Sequence, residues 1–286
     1  MWVMYAFGSA LFAGITAVIA KIGIKKTDSN IATAIRTIVI LIFSWIIVFV
    51  IGSQNSITDI SSRTLIFLIL SGIATGGSWL FYFKALQLGN VNKVAPIDKS
   101  STVMTFILAF LVLGESINLI KLTAIILISV GTYLMIIRKD AEPDNMKEQK
   151  WLIYAVLSAV FASLTSILGK IGIQGVESNL GTAIRTIAVL IMAWVVVFVS
   201  GKQNEIAKID RKSLSFICFS GITTGVSWLC YYKALQEGEA SIVVPIDKLS
   251  IVVTVAFSWF FLNEKLSKKS FIGLLLLVSG TLLLLV

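Results

Sequence analysis

The sequence consists of two copies of one segment. A shift of about 149 residues aligns 2–137 with 151–286 without a gap, and about 60 of about 136 aligned positions are identical. Identical strings occur at 33–37 and 182–186, at 84–87 and 233–236, and at 96–99 and 245–248. A repeat of this length predicts two equivalent structural units, 1–137 and 151–286, joined by a linker at 138–150.

Long apolar stretches fill both copies. Hydrophobic residues make up 57% of the chain and charged residues 14%, and the mean hydropathy is +0.94. Stretches of about 18–25 apolar residues are long enough to cross a hydrocarbon layer of about 30 Å. The fold class predicted is therefore an all-α integral membrane protein with ten transmembrane helices. The predicted spans are 3–24, 31–51, 64–88, 91–113, 119–137, 152–173, 180–200, 213–237, 240–262 and 269–286.

An odd number of spans per copy predicts that the two copies enter the membrane in opposite orientations, as in many secondary transporters. The loop charges test this prediction independently. Lysine occupies positions 25, 26 and 93 of the first copy and 202, 208 and 265 of the second, and none of these lysines is repeated in the other copy. Because cytoplasmic loops are rich in lysine and arginine, this exchange places the 138–150 linker in the cytoplasm and both termini outside. The protein is expected in the cell membrane.

Two Asp-Lys pairs lie inside predicted spans, where a charge costs about 2.5–3.5 kcal/mol. Asp98-Lys99 and Asp247-Lys248 are each about seven residues, or about 10 Å, from the end of their span. If the copies are inverted, the two lysines approach the midplane from opposite sides. Each aspartate continues into a serine and a threonine at helical spacing, a stripe that should face a wet cavity. The alternative is a buried ion pair, for instance Asp98 with Lys84, that only holds helices together.

Further cations and aromatic residues recur at equivalent positions. The arginines lie early in the second spans, where snorkelling, pairing with Asp28 and Glu177, and a substrate role all remain open. The aromatic residues near the ends of the third spans are either an interfacial belt or a pocket wall beside a lysine. The candidate substrate-binding residues are Lys99, Lys248, Asp98, Asp247, Lys84, Lys233, Trp79, Trp228, Tyr82, Tyr231, Arg36 and Arg185.

Three other repeated features bear on packing. Glycines four positions apart, at 72 and 76 and again at 221 and 225, permit close helix contact. Pro96 and Pro245 precede the Asp-Lys pairs, and each lies either in a first helical turn or deeper, where it would free backbone carbonyls. Glu115 and Glu264 follow the fourth and ninth spans and are interpreted as solvated turn residues.

Two equivalent stretches resemble the drug/metabolite transporter superfamily and most closely its EamA-type members. The first runs from 82–86 through Pro96 to 110–115, and its counterpart runs from Tyr231 through Pro245 to 261–264. The second copy departs at Asn263, where the family usually has glycine. The resemblance implies a ten-helix fold with a central cavity, in a family whose members commonly export amino acids or related metabolites. The segments 95–99 and 244–248 are also similar to the Gly-Ala-Leu-Asn-Lys motif of nucleotide-sugar transporters, in which the lysine helps hold an anionic substrate.

The leading functional hypothesis is a secondary carrier, an exporter or exchanger, that works by alternating access. No Gly-x-x-x-x-Gly-Lys-Ser/Thr loop occurs, so a gradient or exchange must drive transport. Each copy sets Arg36, Lys84 and Lys99, or their counterparts, against a single intramembrane acid, which predicts a zwitterionic or anionic substrate. An amino acid is the first candidate, and organic phosphates or nucleotide-linked anions are the alternative. A multidrug-type exporter of cations would need an acid in 3–24, which has none.

Other classes fit less well. An enzyme is not expected, because the chain has no histidine and no evident nucleophile–base set. Cys218 and Cys230 fall in one apolar segment, so neither a metal site nor another cofactor is expected. The net charge of +9 is scattered over loops and helix ends, which argues for a lipid bilayer rather than nucleic acid as the partner. The expected assembly is a monomer or homodimer.

Overall fold

The computed structural model describes residues 1–23, 27–88, 94, 97–136, 150–262 and 267–285. Nearly all of the predicted linker, Pro96 and Glu264 lie outside these residues. In the first half the helices are α1 (Trp2–Gly23), α2 (Ser29–Ile51), α3 (Ser62–Leu88), α4 (Ser101–Leu113) and α5 (Leu119–Ile136). In the second half they are α6 (Lys150–Ile173), α7 (Ser178–Val199), α8 (Arg211–Glu237), α9 (Ala240–Asp247), α10 (Ser250–Leu262) and α11 (Lys268–Leu283).

The outer surface of these helices is apolar. Seven helices of the described chain are long and apolar enough to cross a membrane, and Leu119–Met135 is a shorter apolar helix. Large hydrophobic side chains point outward, such as Phe49 and its repeat equivalent Phe198, which are each 61% exposed. An apolar exterior on helices of this length is what a hydrocarbon environment requires. The all-α membrane fold predicted from the sequence fits this arrangement.

The second helix of each half begins at a capping carboxylate. Asp28 accepts hydrogen bonds from the backbone N–H groups of Asn30 (2.8 Å) and Ile31 (3.4 Å). Glu177 does the same for the first turn of α7, with both N···O distances at 3.0 Å. These carboxylates satisfy N–H groups that a helix start leaves unpaired. They therefore act as helix caps for α2 and α7.

Helices of one half pack reciprocally on helices of the other. α1 packs against α8 and α3 against α6, so the first helix of each half contacts the third helix of the other. α2 packs against α7, and α5 against α11. Each of these last two pairs joins helices that occupy the same position in the two repeats.

The equivalent helices run antiparallel to each other. Ile31, near the start of α2, shares a hydrophobic cluster with Val197, near the end of α7. At the opposite ends, Val48 shares a cluster with Leu180. In the same way Gly131 in α5 contacts Gly273 in α11, while Ala124 of α5 contacts Gly280 of α11. The end of each helix thus meets the start of its repeat equivalent.

The repeated glycines lie where helices of different halves approach most closely. A Cβ atom added at Gly72 would lie 2.6 Å from the Cβ of Ala188. At Gly221 it would lie 2.7 Å from the Cβ of Val39, which is the repeat equivalent of Ala188. Real Cβ atoms do not come this close, so only glycine allows the backbones to pack at this distance.

The span predicted at 240–262 is divided by a tight turn. The N–H of Lys248 donates to Pro245 O at 3.0 Å and that of Leu249 donates to Ile246 O at 2.9 Å, three residues back rather than four. Pro245 lies inside α9 and supplies no N–H, which weakens the helix at this point. In the first half the N–H of Ser100 likewise donates to Ile97 O, at 3.1 Å. Both helices therefore tighten next to their Asp-Lys pair.

Glu115 is a cap for the opposite half and not the solvated turn residue that the sequence suggested. Its carboxylate accepts hydrogen bonds from the N–H groups of Ala240 (2.6 Å) and Ser241 (2.9 Å), at the start of α9. Lys121 forms an ion pair with Glu239, one residue earlier. The turn between α4 and α5 thus holds the start of α9, because that first turn needs acceptors and receives them from Glu115.

The glycine contacts give a first prediction. Gly72→Ala and Gly221→Ala are each expected to lower stability by about 1–3 kcal/mol, because the new methyl group forces two backbones apart. Gly8→Ala is the matched control, since its Cβ would lie an ordinary 3.5 Å from Cys230 Sγ. Thermal unfolding of the purified protein in detergent measures the difference. Equal unfolding temperatures for the Gly72, Gly221 and Gly8 variants would show that the close approach is not needed.

Candidate functional site

A cavity of about 390 Å³ lies between the two halves, and α1, α2, α3, α6, α7, α8 and the end of α9 contribute to its wall. Seven of the residues proposed from the sequence line it: Arg36, Arg185, Trp79, Trp228, Tyr231, Asp247 and Lys248. A larger cavity, of about 630 Å³, lies beside the α8–α9 connection and contains none of the proposed residues. In that cavity Lys170 already donates to the carbonyl oxygens of Leu235 and Gly238. We therefore take the cavity between the halves as the candidate site.

Arg185 is held in a fixed position in the wall. Its side chain is 2% exposed. Nε donates to Ser71 Oγ at 2.9 Å and Nη2 to Thr75 Oγ1 at 2.5 Å, so both acceptors come from the opposite half. The guanidinium carbon also lies 5.2 Å from the ring centroid of Trp228 and 4.7 Å from that of Tyr232. Two hydrogen bonds and two aromatic faces thus stabilise the buried charge.

Arg36, the repeat equivalent of Arg185, has far fewer contacts. Its Nη2 donates to Thr33 Oγ1 of its own helix at 3.4 Å. Its Nε is buried and finds no hydrogen-bond partner in the described part of the chain, and the same is true of Nη1 of Arg185. A buried donor without an acceptor costs about 1–3 kcal/mol. Each arginine of the cavity wall therefore keeps one buried guanidinium donor without an acceptor among the described residues.

The two aspartates are each held by the first helix of the other half. Ser9 of α1 donates to Asp247 Oδ1 at 2.7 Å. Ser158 of α6 donates to Asp98 Oδ1 at 2.9 Å. Because Ser9 and Ser158 are repeat equivalents, the structure makes the same bond twice across the boundary between the halves. Sequence reasoning missed these serines, although their recurrence in both apolar first spans was an available signal.

The two lysines of the Asp-Lys pairs have different surroundings. Lys248 lines the cavity, and α9, which ends at Asp247, packs against α4, which begins two residues after Lys99. Lys99 lies outside the lining, with its Nζ 3.5 Å from Asp98 Oδ2 and its side chain 49% exposed. The structure thus brings the two pairs near each other but places only the second pair in the cavity wall.

The three remaining candidates lie outside the cavity wall. Lys233 forms an ion pair with Glu237 one turn along α8, at 2.9 Å. Tyr82 packs with Val94 and Ala155 in a small hydrophobic cluster. The side chain of Lys84 is exposed.

The cavity has an excess of positive charge. Its described lining contains Arg36, Arg185 and Lys248 against Asp247, a formal sum of 3 − 1 = +2. The aromatic rings of Trp79 and Trp228 supply apolar surface beside these charges. Such a wall is suited to a small molecule that has an anionic group and an apolar portion.

Comparison with known proteins agrees with this architecture. The EamA-like transporter family model matches residues 1–137 and 149–286. The chain belongs to the EamA-like transporter family. It is therefore a membrane transporter, of a family of multi-pass helical proteins.

Relatives of this EamA-like transporter include an uncharacterized transporter from the cobO 3′ region of a Sinorhizobium species, which is 46% identical over 136 residues, 48% of this chain and 96% of that one. The uncharacterized transporter YxxF of Bacillus subtilis is 22% identical over 228 residues, 79% of this chain and 71% of that one. A crystal structure shares the fold, with a TM-score of 0.78 and 13% sequence identity over 99% of this chain and 95% of the other. Nearly the whole of the Sinorhizobium protein thus aligns with about half the length of this EamA-like transporter.

A second prediction concerns the serine–aspartate bonds. Ser9→Ala and Ser158→Ala are each expected to lower stability by about 1–3 kcal/mol, because each leaves a carboxylate oxygen without its donor. Ser215→Ala is the control, since that hydroxyl is exposed and donates to Arg211 O of its own helix. Thermal unfolding in detergent is the measurement. An unfolding temperature unchanged in both Ser9 and Ser158 variants would contradict a structural role for these bonds.

Proposed function

We propose that this protein is a secondary transporter of the cell membrane that carries a small metabolite with a carboxylate or phosphate group by alternating access. The observation that carries the proposal is the cavity between the halves. Within the described chain, two arginines of its wall leave buried donors unpaired, and cations outnumber acids in the lining by three to one. An anionic group entering the cavity would satisfy these donors and offset the charge. An organic cation would add to the uncompensated charge.

The proposal includes ten membrane crossings in two inverted five-helix units. The antiparallel contacts of α2 with α7 and of α5 with α11 support it, since inverted repeats place equivalent helices in opposite directions. Counting ten crossings treats α9 and α10 as one span and keeps the span predicted at 91–113, of which 94 and 97–113 are described. The tight turns beside both Asp-Lys pairs also support it, because interrupted helices in corresponding positions are typical of transporter binding sites.

Among anionic substrates we propose an amino acid or a metabolite of similar size. A cavity of about 390 Å³ is near the lower limit of ligand sites, which favours a small molecule. Asp247 offers a carboxylate for an ammonium group, and Trp79 and Trp228 offer surface for an apolar side chain. The formal charge of +2 supports the alternative of an organic phosphate. With no ATP-binding loop in the sequence, we propose that the carrier works as an exporter or exchanger.

The inverted topology leads to a third prediction, at two equivalent loop positions. In a background lacking Cys218 and Cys230, Asp59→Cys is expected to react with a membrane-impermeant maleimide in intact cells. Lys208→Cys is expected to react only after the cells are permeabilised, because the cation-rich loop lies in the cytoplasm. Labelling of both cysteines from the same side would rule out inversion.

A fourth prediction concerns transport. In proteoliposomes, Lys248→Ala is expected to reduce uptake of labelled amino acids or organic phosphates about tenfold or more, the effect of losing about 1.4 kcal/mol of binding. Lys99→Ala is expected to have a smaller effect, since Lys99 is half exposed and paired with Asp98. Lys202→Ala, in a surface ion pair with Glu205, is the control. Undiminished uptake in the Lys248 variant, or a preference for quaternary amines, would contradict the assignment.

A further inference from the structure

Both halves carry the two hydroxyl residues that hold an arginine, and among the described residues an arginine donates to one of these two pairs. Arg185 of α7 donates to Ser71 and Thr75 of α3. The repeat equivalents of these two hydroxyl residues, Ser220 and Thr224, lie in α8, against which α2 packs with Arg36. We call Ser71 with Thr75 the first cradle, and Ser220 with Thr224 the second cradle.

The first cradle is arranged to accept a cation. The hydroxyl of Ser71 donates its proton to Thr165 O at 2.7 Å, and that of Thr75 donates to Ser71 O at 3.0 Å. Each hydroxyl has one proton, so these bonds leave only lone pairs for Arg185. The hydroxyl groups therefore act as fixed acceptors for the guanidinium group.

The hydroxyl protons of the second cradle are also engaged, but here both bonds lie within α8. The hydroxyl of Ser220 donates to Ile217 O at 2.7 Å, and that of Thr224 donates to Ser220 O at 2.6 Å. Both residues are buried, with exposures of 1% and 9%. In the part of the chain that the structure describes, Arg36 donates to neither of them. It bonds Thr33 of its own helix instead, and its Nε is buried without a partner.

We propose that Arg36 and Arg185 alternate between their cradles and the substrate, so that in each access state one arginine is docked and the other binds the anionic group of the substrate. The structure is then the state with Arg185 docked and Arg36 available. This inference rests on the proposed transport function, and it assigns the substrate's anionic group to a different arginine in each state.

The physical basis is the equivalence of the halves. In inverted repeats the two access states arise when the halves exchange conformations, so a contact made by one half in one state is made by the other half in the other. Leaving one cradle and entering the other exchanges like hydrogen bonds, which keeps the two states close in free energy. A bound anion would replace the cradle for the undocked arginine. The free-energy cost of an undocked guanidinium group then applies only while the cavity holds no anion.

Two double variants, each of which removes the hydroxyl groups of one cradle, test the proposal. The first-cradle variant is Ser71→Ala with Thr75→Val, and the second-cradle variant is Ser220→Ala with Thr224→Val. Ala13→Cys and Ala162→Cys, repeat-equivalent positions in the cavity wall, are single reporters in a background lacking Cys218 and Cys230. The measured quantity is the ratio of modification rates when an impermeant thiol reagent is applied to right-side-out and to inside-out vesicles.

The two variants are expected to change this ratio in opposite directions, by about tenfold each, because each removes the docking site of one state. Changes in the same direction, or no change in either, would overturn the proposal. The hydroxyl-retaining variants, Ser71→Thr with Thr75→Ser and Ser220→Thr with Thr224→Ser, are expected to restore the parent ratio. If the first-cradle variant does not fold, the second-cradle variant still decides, since a ratio unchanged from that of the parent would overturn the proposal.

Arg36 has its own test in the second-cradle variant, where the described state is favoured. Inorganic phosphate and L-glutamate are the anion probes, and tetraethylammonium is the cation control. Either anion is expected to slow modification of Ala13→Cys severalfold, and Arg36→Gln is expected to abolish this protection. Protection that survives Arg36→Gln would overturn the assignment of Arg36. In a further outcome, neither anion protects the cysteine while the two cradle variants still shift the ratio in opposite directions. That result would count against the proposed substrate class and leave the alternation of docking standing.

Discussion

A polar side chain in the hydrocarbon layer must find its partners within the protein, because lipid offers none. In this protein many of those partners come from the other half of the chain. Arg185 binds hydroxyl groups of α3, and each aspartate of the Asp-Lys pairs accepts a hydrogen bond from the first helix of the opposite repeat. The boundary between the halves is therefore both the place where buried charges are satisfied and the place where the cavity forms.

The site residues that could be predicted are those whose charge stands out within an otherwise apolar span. Charged residues in long apolar spans are conspicuous, and four of them, Arg36, Arg185, Asp247 and Lys248, line the cavity. The hydroxyl residues that hold them were not predicted. A serine or threonine can bond its own helix backbone, so its presence in an apolar span needs no tertiary partner and predicts none. Ser9 and Ser158 were overlooked for this reason.

The repeat itself limits what the sequence can predict. Lys99 and Lys248 have nearly identical neighbours and were predicted to have the same role, yet of these two lysines only Lys248 lines the cavity. Arg36 and Arg185 differ in the same way. Equivalent sequences cannot specify which half adopts which conformation, since the difference comes from how the halves pack. Lys233 was predicted to bind substrate but lies outside the cavity wall for a simpler reason. An acid one turn away, Glu237, forms an ion pair with it.

The serine–aspartate bonds between the halves have a consequence for biosynthesis. Asp98 belongs to the first repeat, but its donor Ser158 is translated about 60 residues later, in the second. At typical elongation rates of about 5–20 residues per second, the first repeat waits on the order of ten seconds before its partner helices are complete. During that interval Asp98 and the hydroxyl groups of α3 lack their native partners. The nascent first repeat therefore presents unsatisfied polar groups to membrane chaperones and quality-control proteases until the second repeat is made.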